Sequence, residues 1–439
     1  IIDIVMNTML KQEESDQGRH FFRMFNGMGD DQRAASYLNG KSFEQAVLDN
    51  TLSTEVFYEM MKLKGVYLRN YINSRLSSNE FKEFMAEFTK RYQFQEVNFT
   101  RLNSEFIRKF HFNLMDFIPN WYTINSTPRF IVKGVDADQV EVGDYTKYIV
   151  KFQVYNPTNV EGVISVNVEE GGGMFPGGPR GRRGRAAQME AKPAKNYIIE
   201  PQKYKEIRIL CDERPSNLTI NTNISQNLPS TIMQNFAKVT TTTTDTVTGI
   251  FDSNATLFTF NPKEITVDNE DPGFRIIESN QKNKLQSFFK KESEDKYKNL
   301  NFWMPPSRWT ATIGVNYYGD YINSAVYKKS GSGSNKTEWT TQIQIPGFYE
   351  VFVYTSELPM MGWRHRGGEE KKIQYYTVKH DDGEEEISVE TGRGRQGWRT
   401  LGSFYFSKGE AKITLSDKGS ESNQIIFADA VKWVYTNNN

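Results

Sequence analysis

Cysteine is almost missing from this chain: Cys211 is the one thiol in 439 residues. A single thiol excludes an internal disulfide framework and any zinc site built on paired cysteines. Histidine is scarce as well. His20, His111, His365 and His380 include no two that stand four residues apart, so the helical His-Glu-x-x-His zinc motif is absent. Net charge is also missing, with 54 basic side chains against 54 acidic ones. A balanced chain projects no long-range field toward nucleic acid or anionic membranes. Charged residues break every apolar run before it reaches the length of a bilayer span. No Gly-x-Ser-x-Gly nucleophile elbow occurs. Cys211 is followed by Asp212 and Glu213, an acidic setting that disfavours the thiolate, so it reads as a strand-end residue. Initiator Met and signal-peptide pattern are lacking too. The chain opens directly in an amphipathic pattern of Ile1, Ile4, Val5 and Met9, and the expectation is a fragment of a longer protein.

What is present divides the chain by period. At 439 residues several domains are expected. Residues 1–127 read as a helical domain. Phe57, Met60, Met61, Lys64, Tyr67, Leu68 and Tyr71 recur at helical spacing, with Lys64 expected to lay its stem on the core and reach water with its amine. Ser77 with Glu80 is a capping box opening a second helix that carries Phe81, Phe84, Met85 and Phe88. Asn98 or Thr100 starts a third with Leu102, Phe106 and Phe110, Ser42 with Gln45 marks an earlier start, and Pro119 is expected to end the helical part. From Pro128 the period becomes two, and residues 128–270 read as an antiparallel β-sandwich. Within it, the Gly/Arg-rich insert 171–195 has too few core-forming residues to offset its ordering entropy and reads as a mobile hairpin tip. Residues 271–304 read as a charged linker with a short helix, and residues 305–439 as a second β-sandwich. The fold class expected is therefore multidomain α and β: a helical domain followed by two antiparallel β-sandwiches.

Six of the seven tryptophans lie between Trp303 and Trp433. Aromatic faces stack on sugars or pack in a core, and the second sandwich has material for both. Trp339, Trp363, Tyr318 and Tyr321 are the candidates for a stacking surface, with Arg364 and Arg366 beside Trp363 in a Gly-bearing loop; Trp398 and Trp433 read as core. The acidic run 381–386 reads as a β-turn at Asp382 and Gly383 with an acidic flank rather than as a calcium loop, and the run GRGRQG at 392–397 as a tight loop.

Residues 305–436 resemble the golvesin/xanthan-lyase C-terminal-like domain. The resemblance is carried by YGDYINSA at 318–325, Trp339, IPGFYEV at 345–351, YTVKHDDG at 376–383, GWRTLG at 397–402 and ADAVKW at 428–433. It implies a jelly-roll β-sandwich on envelope or secreted proteins, often of Bacteroidetes type, with a carbohydrate-binding role. Residues 1–270 resemble the region after the metal site in aminopeptidase-N-like gluzincin metallopeptidases, through KLKG at 62–65, FKEF at 81–84, YQF at 92–94, Trp121, Pro128 and FIV at 130–132. That family's zinc helix has no counterpart here. Its oxyanion-stabilising tyrosine falls on Lys62, with Tyr58 one helical turn earlier, and a lysine does not replace a phenol that donates to a tetrahedral intermediate.

The function expected is a non-catalytic C-terminal portion of a cell-envelope metallopeptidase-like protein, periplasmic or surface-exposed, whose last sandwich docks glycan or another envelope component. Catalytic and metal-binding residues are expected in neither part; zinc would belong to a longer parent, and the upstream part of the same polypeptide is an expected partner. A polysaccharide lyase, using tyrosine, arginine and carboxylates without metal, and a purely structural surface protein are the alternatives.

Overall fold

The computed structural model describes residues 29–171, 194–236, 239, 241–278, 296–356, 372–392 and 395–436. They fall into two compact units, Gly29–Phe258 and Thr259–Asn439.

In the first unit the expected helix starts are capped by the side chains that predicted them. The helices are α1 (Asp30–Tyr37), α2 (Phe43–Leu48), α3 (Thr54–Asn73), α4 (Ser78–Arg91), α5 (Phe99–Phe110) and α6 (Ile118–Thr123). Before α4, the Glu80 N–H donates to Ser77 Oγ at 3.2 Å and the Ser77 N–H donates to Glu80 Oε2 at 2.9 Å. Asn98 accepts from the Arg101 N–H at 2.9 Å before α5, and Ser42 caps α2 with Gln45 as partner. Such caps satisfy backbone donors that a helix start leaves open, at about 1 kcal/mol each. The apolar faces of α3, α4 and α5 then meet: Met60, Met61, Leu68, Phe81, Phe84, Phe88, Leu102 and Phe106 are buried in one cluster.

Two expectations in this region are corrected. Pro119 does not end the helical part but lies in the first turn of α6, where a missing N–H costs nothing. Lys64 does not reach water. It is 4% exposed; its Nζ donates to the Trp121 carbonyl at 2.6 Å, and Trp121 Nε1 donates back to the Lys64 carbonyl at 3.1 Å. Burial without a carboxylate partner pushes the amine down to about 7.

The helical layer leads into a sandwich of two sheets. The strands are β1 (Ile131–Val142), β2 (Tyr145–Tyr155), β3 (Gly162–Glu170), β4 (Lys195–Ile199), β5 (Tyr204–Cys211), β6 (Pro215–Asn221), β7 (Thr231–Asn235), β8 (Thr242–Thr243) and β9 (Gly249–Asp252). Their orders are β8-β1-β2-β5-β9 and β4-β3-β6-β7, and every pairing is antiparallel except β1 with β8. Val163 and Ile224 share the buried cluster of the helices, and Asn70 Nδ2 of α3 donates to Asn223 Oδ1 at 2.7 Å. Helices and sandwich are thus one unit, where a boundary was expected at 127/128, because α3 packs against β3 and β4 as well as against its neighbouring helices. Cys211 ends β5, buried. The insert at 171–195 lies outside the described residues apart from its ends.

The second unit contains β10 (Glu264–Val267), β11 (Phe274–Ile277), β12 (Thr310–Ile313), β13 (Ser324–Lys329), β14 (Lys336–Ile343), β15 (Gly347–Thr355), β16 (Lys372–His380), β17 (Gly383–Thr391), β18 (Gly397–Phe406), β19 (Gly409–Gly419), β20 (Ile425–Ala428) and β21 (Val431–Thr436). They form antiparallel sheets β10-β21-β15-β18, β11-β14-β19-β16-β17 and β12-β13-β20 around a core in which Trp339, Trp433, Tyr349 and Tyr376 are buried. The expected limits 270/271 and 304/305 are both corrected. Residues 264–267 pair with β21 and residues 274–277 with β14, while Tyr297 and Leu300 are buried. Strands of four residues give little periodic signal, and partners distant in the chain supply the pairing. The short helix expected within 282–299 falls on residues outside the described set up to 295, and 296–299 are not helical. Residues Asp381 and Asp382 form the two-residue loop between paired His380 and Gly383, one position before the turn expected at Asp382 and Gly383.

Lys64 supplies a test. An unfolded lysine titrates near ~10.4, so between about 7 and that value the unfolded chain holds the extra proton. Stability of the first unit therefore rises with pH across this window. In thermal unfolding, Lys64→Met is expected to melt above wild type at about pH 6, with the difference shrinking toward about pH 10. A lower midpoint for the variant at the acidic end contradicts a buried, strained amine.

Candidate functional site

The alternation of β15 sets the site. Tyr349, Val351 and Val353 point inward and are buried, so Phe348, Glu350, Phe352 and Tyr354 point outward. On the neighbouring strand Trp398 stands directly opposite Tyr354. Their rings are 5.3 Å apart and nearly perpendicular, at 81°. Tyr318, from the loop between β12 and β13, completes the group at 5.1 Å from Trp398 and 5.7 Å from Tyr354. That loop turns at Gly319, with φ +153°, where a Cβ would stand 1.9 Å from the Ile322 carbonyl oxygen. Only glycine fits there. Lys432 of β21 brings Nζ to 4.7 Å over the Trp398 ring, while it also lies 3.4 Å from Glu264 Oε1. The result is a half-buried aromatic shelf with a cation on one side.

Buried carboxyls stand behind the shelf. Asp429, 1% exposed, accepts the Tyr318 N–H at 3.2 Å on Oδ1 and 3.3 Å on Oδ2, and the Ser356 hydroxyl donates to its Oδ2 at 3.0 Å. Its main-chain carbonyl accepts Trp339 Nε1 at 3.1 Å. Asp268 is 7% exposed, and its own N–H donates to Asp271 Oδ2 at 2.8 Å. Burial pushes Asp268 up to about 8, helped by the nearby Asp271 and Glu270. Burial and the charge of Asp268 push Asp429 far above the usual carboxylate range. Glu270 of the same turn accepts from Ser324 Oγ at 2.7 Å and Tyr297 at 3.1 Å, and pairs with Lys296. Hydroxyls, ring faces and buried acids are thus gathered on one side of the sheet.

The residues expected at a stacking surface divide. Tyr318 is in the shelf. Trp339 is not available to any ligand: at 1% exposure it is core, against the expectation of an exposed ring, because β14, flanked by β11 and β19, turns it to the buried face of the sheet. Tyr321 is half-buried in the Tyr318 loop. Trp363, Arg364 and Arg366 lie outside the described residues. Trp433 is core as expected, whereas Trp398, expected to be core, is half-buried and turned to the outer face. Tyr354 and the carboxyls Asp268 and Asp429 were not singled out from sequence. The alternation of β15 gave a signal for Tyr354; for the carboxyls there was none, since their burial depends on strands 160 residues apart. At the peptidase-like position, Lys62 Nζ pairs with Glu59 at 2.7 Å and lies 4.2 Å over the Tyr58 ring on the solvent side of α3. Among the described residues no group of three His, Cys, Asp or Glu side chains is placed to hold a metal ion, and no helix is long and apolar enough to cross a membrane.

Residues 298–435 match the Golvesin C-terminal domain, so the last part of the chain carries a golvesin-like domain. Similar solved structures include a Paenibacillus xanthan lyase, with 14% identity and a TM-score of 0.28 over 70% of this chain and 26% of that one. A family 35 carbohydrate binding module from Clostridium thermocellum has 13% identity and a TM-score of 0.24, over 39% of this chain and 98% of the module. A two-domain protein of unknown function from Bacteroides fragilis has 9% identity and a TM-score of 0.17, over 70% of this chain and 94% of that one. The chain thus spans about a quarter of the xanthan lyase's length. At such TM-scores these likenesses carry no argument about the site. No curated protein matches.

The two tryptophan environments predict different costs. Trp339→Ala should lose on the order of 3–5 kcal/mol in urea unfolding of the second unit, as expected for a large buried ring. Trp398→Ala should lose less than half of that. Equal losses would mean that Trp398 serves the core and not the surface.

Proposed function

We propose that the golvesin-like part of the chain is a glycan-docking module of an envelope or surface protein, and that the shelf of Tyr318, Tyr354 and Trp398 is its contact surface. The observation that carries this reading is the turning of a tryptophan and a tyrosine, directly opposite each other on paired strands, to the outer face of a sheet whose inner face is already filled. Rings placed so offer apolar C–H-binding faces to a pyranose, with hydroxyls at their rims. Thr266 lies beside the Tyr318 hydroxyl and Gln396 beside that of Tyr354, at the rims of the rings rather than on their faces. Trp363, Arg364 and Arg366 belong to this reading as residues that follow Ser356, itself bonded to Asp429 behind the shelf. The golvesin/xanthan-lyase resemblance implies the same carbohydrate role.

The finer reading makes the chain a non-catalytic portion of a metallopeptidase-like parent, with zinc ligands belonging to residues outside these 439. It is supported by the resemblance of the helical residues alone. On this reading the chain with added zinc hydrolyses no peptide substrate, and zinc-dependent hydrolysis by it sinks the idea.

Affinity electrophoresis of the full chain through gels containing neutral and acidic polysaccharides tests the docking role. Retardation in at least one gel is expected, reduced at least about tenfold in apparent affinity by Trp398→Ala, as loss of a stacking ring would give. Retardation unchanged in that variant moves the contact away from the shelf. Absence of retardation in every gel leaves the unit as a structural or protein-contacting module.

A further inference from the structure

The shelf depends on one side chain that no ligand would touch. Asp429 lies between β20 and β21 and reaches three elements at once: the Tyr318 N–H, the Ser356 hydroxyl at the end of β15, and, through its main chain, Trp339 of β14. Tyr318 has no strand ladder to hold it, since it sits in the loop between β12 and β13. Its own N–H is held by this acceptor, beside the Gly319 turn, while Asn323 Nδ2 donates to the neighbouring Tyr317 carbonyl at 2.9 Å.

The surroundings decide which form of Asp429 does this. Asp268 faces it from the turn after β10, with Asp271 and Glu270 beside Asp268 in that turn and Asp320 beside Asp271. Tyr317 and the Tyr318 main chain face it from the loop after β12, Tyr354 from β15 and Tyr376 from β16. Among the described residues neither Asp429 nor Asp268 has a lysine, arginine or histidine partner; Lys296 pairs with Glu270 and Lys432 with Glu264. Two carboxyls buried together without a cation do not both carry charge. A neutral acid suits the contacts that are present: its carbonyl oxygen accepts from Tyr318, and its hydroxyl exchanges a hydrogen bond with Ser356.

We propose that Asp429 is the positioning residue of the aromatic shelf and works as a neutral acid, fixing Tyr318 against Trp398 and tying down the end of β15. This rests on the glycan-docking reading only for what the shelf holds; the clamp itself is testable without a ligand. The linkage sign follows from the raised pKa values of the two carboxyls. Folded Asp268 keeps its proton up to about 8, and burial holds the proton on Asp429 well above the ordinary carboxylate range, whereas the unfolded carboxyls lose theirs near ~4. Stability from the pair is therefore full below about pH 4 and is lost as pH rises through the folded values.

Three forms of the full chain separate the possibilities: wild type, Asp429→Asn and Asp429→Ala. Hydrogen exchange of the peptide spanning residues 314–323 is expected to be unchanged in Asp429→Asn and at least about tenfold faster in Asp429→Ala, which loses the acceptor. The thermal midpoint of Asp429→Asn relative to wild type should climb between about pH 5 and pH 9, because the amide has no proton to lose. Asn behaving like Ala near neutral pH overturns the proposal, as does a Ca2+-dependent rise of the wild-type midpoint that Asp429→Asn abolishes. The first outcome would mean that the negative charge is needed, and the second that a cation holds the pair. Unaltered exchange in Asp429→Ala also overturns it. If exchange and pH dependence come out as expected while no polysaccharide gel retards any form, the clamp stands and the glycan reading falls.

Discussion

The strict alternation of one strand governs the second unit. With Tyr349, Val351 and Val353 filling the interior, β15 has no choice about where Phe352 and Tyr354 go. Register with β18 then places Trp398 beside Tyr354, and register with β21 places Lys432 beside Phe352. A shift of one residue would turn the core residues to water and bury the shelf. The cost of losing that core is what keeps the surface aromatics in place.

The same unit accepts a second constraint that runs against ordinary economy. Asp268 and Asp429 are buried where neither finds a basic partner among the described residues, and polar burial of this kind is tolerated when hydrogen bonds replace water. The hydrogen bonds found come from loop backbone and from a strand end, the parts of a sandwich that a sheet ladder does not organise. A different solution operates elsewhere in the unit: Lys328 and Asp417 form a buried ion pair, and Asp417 also accepts from the Gly333 N–H at 2.7 Å and Asn335 Nδ2 at 2.9 Å. There a full charge pair fixes the loop 330–335 between β13 and β14, and removing one partner would strand the other.

In the first unit a comparable exchange ties helix to helix. Lys64 and Trp121 each satisfy the other's main-chain carbonyl, so an amine that periodicity placed on the apolar stripe becomes a buried link between α3 and α6. Reading the stripe identified the position correctly and its environment wrongly. Snorkelling requires a free path to water, and the aromatic rings of Phe43 and Trp121, 5.8 and 5.4 Å from the amine, close that path.

Local features were legible in the chain itself. Caps at Ser42, Ser77 and Asn98 and the change of period after Pro128 depend on residues within a few positions of one another, and backbone geometry ties each to its structure. Alternation likewise determined which face of β15 meets the core. Contacts across long stretches of chain were settled only by the tertiary structure. It joined 264–267 to the last strand and 274–277 to β14, merged the helical layer with its sandwich, put Trp339 inside and Trp398 at the surface, and gathered Tyr318, Asp268 and Asp429 into one place. The physical reason is that burial and neutralisation belong to a neighbourhood, and a neighbourhood is made by strand order, which four-residue strands do not announce.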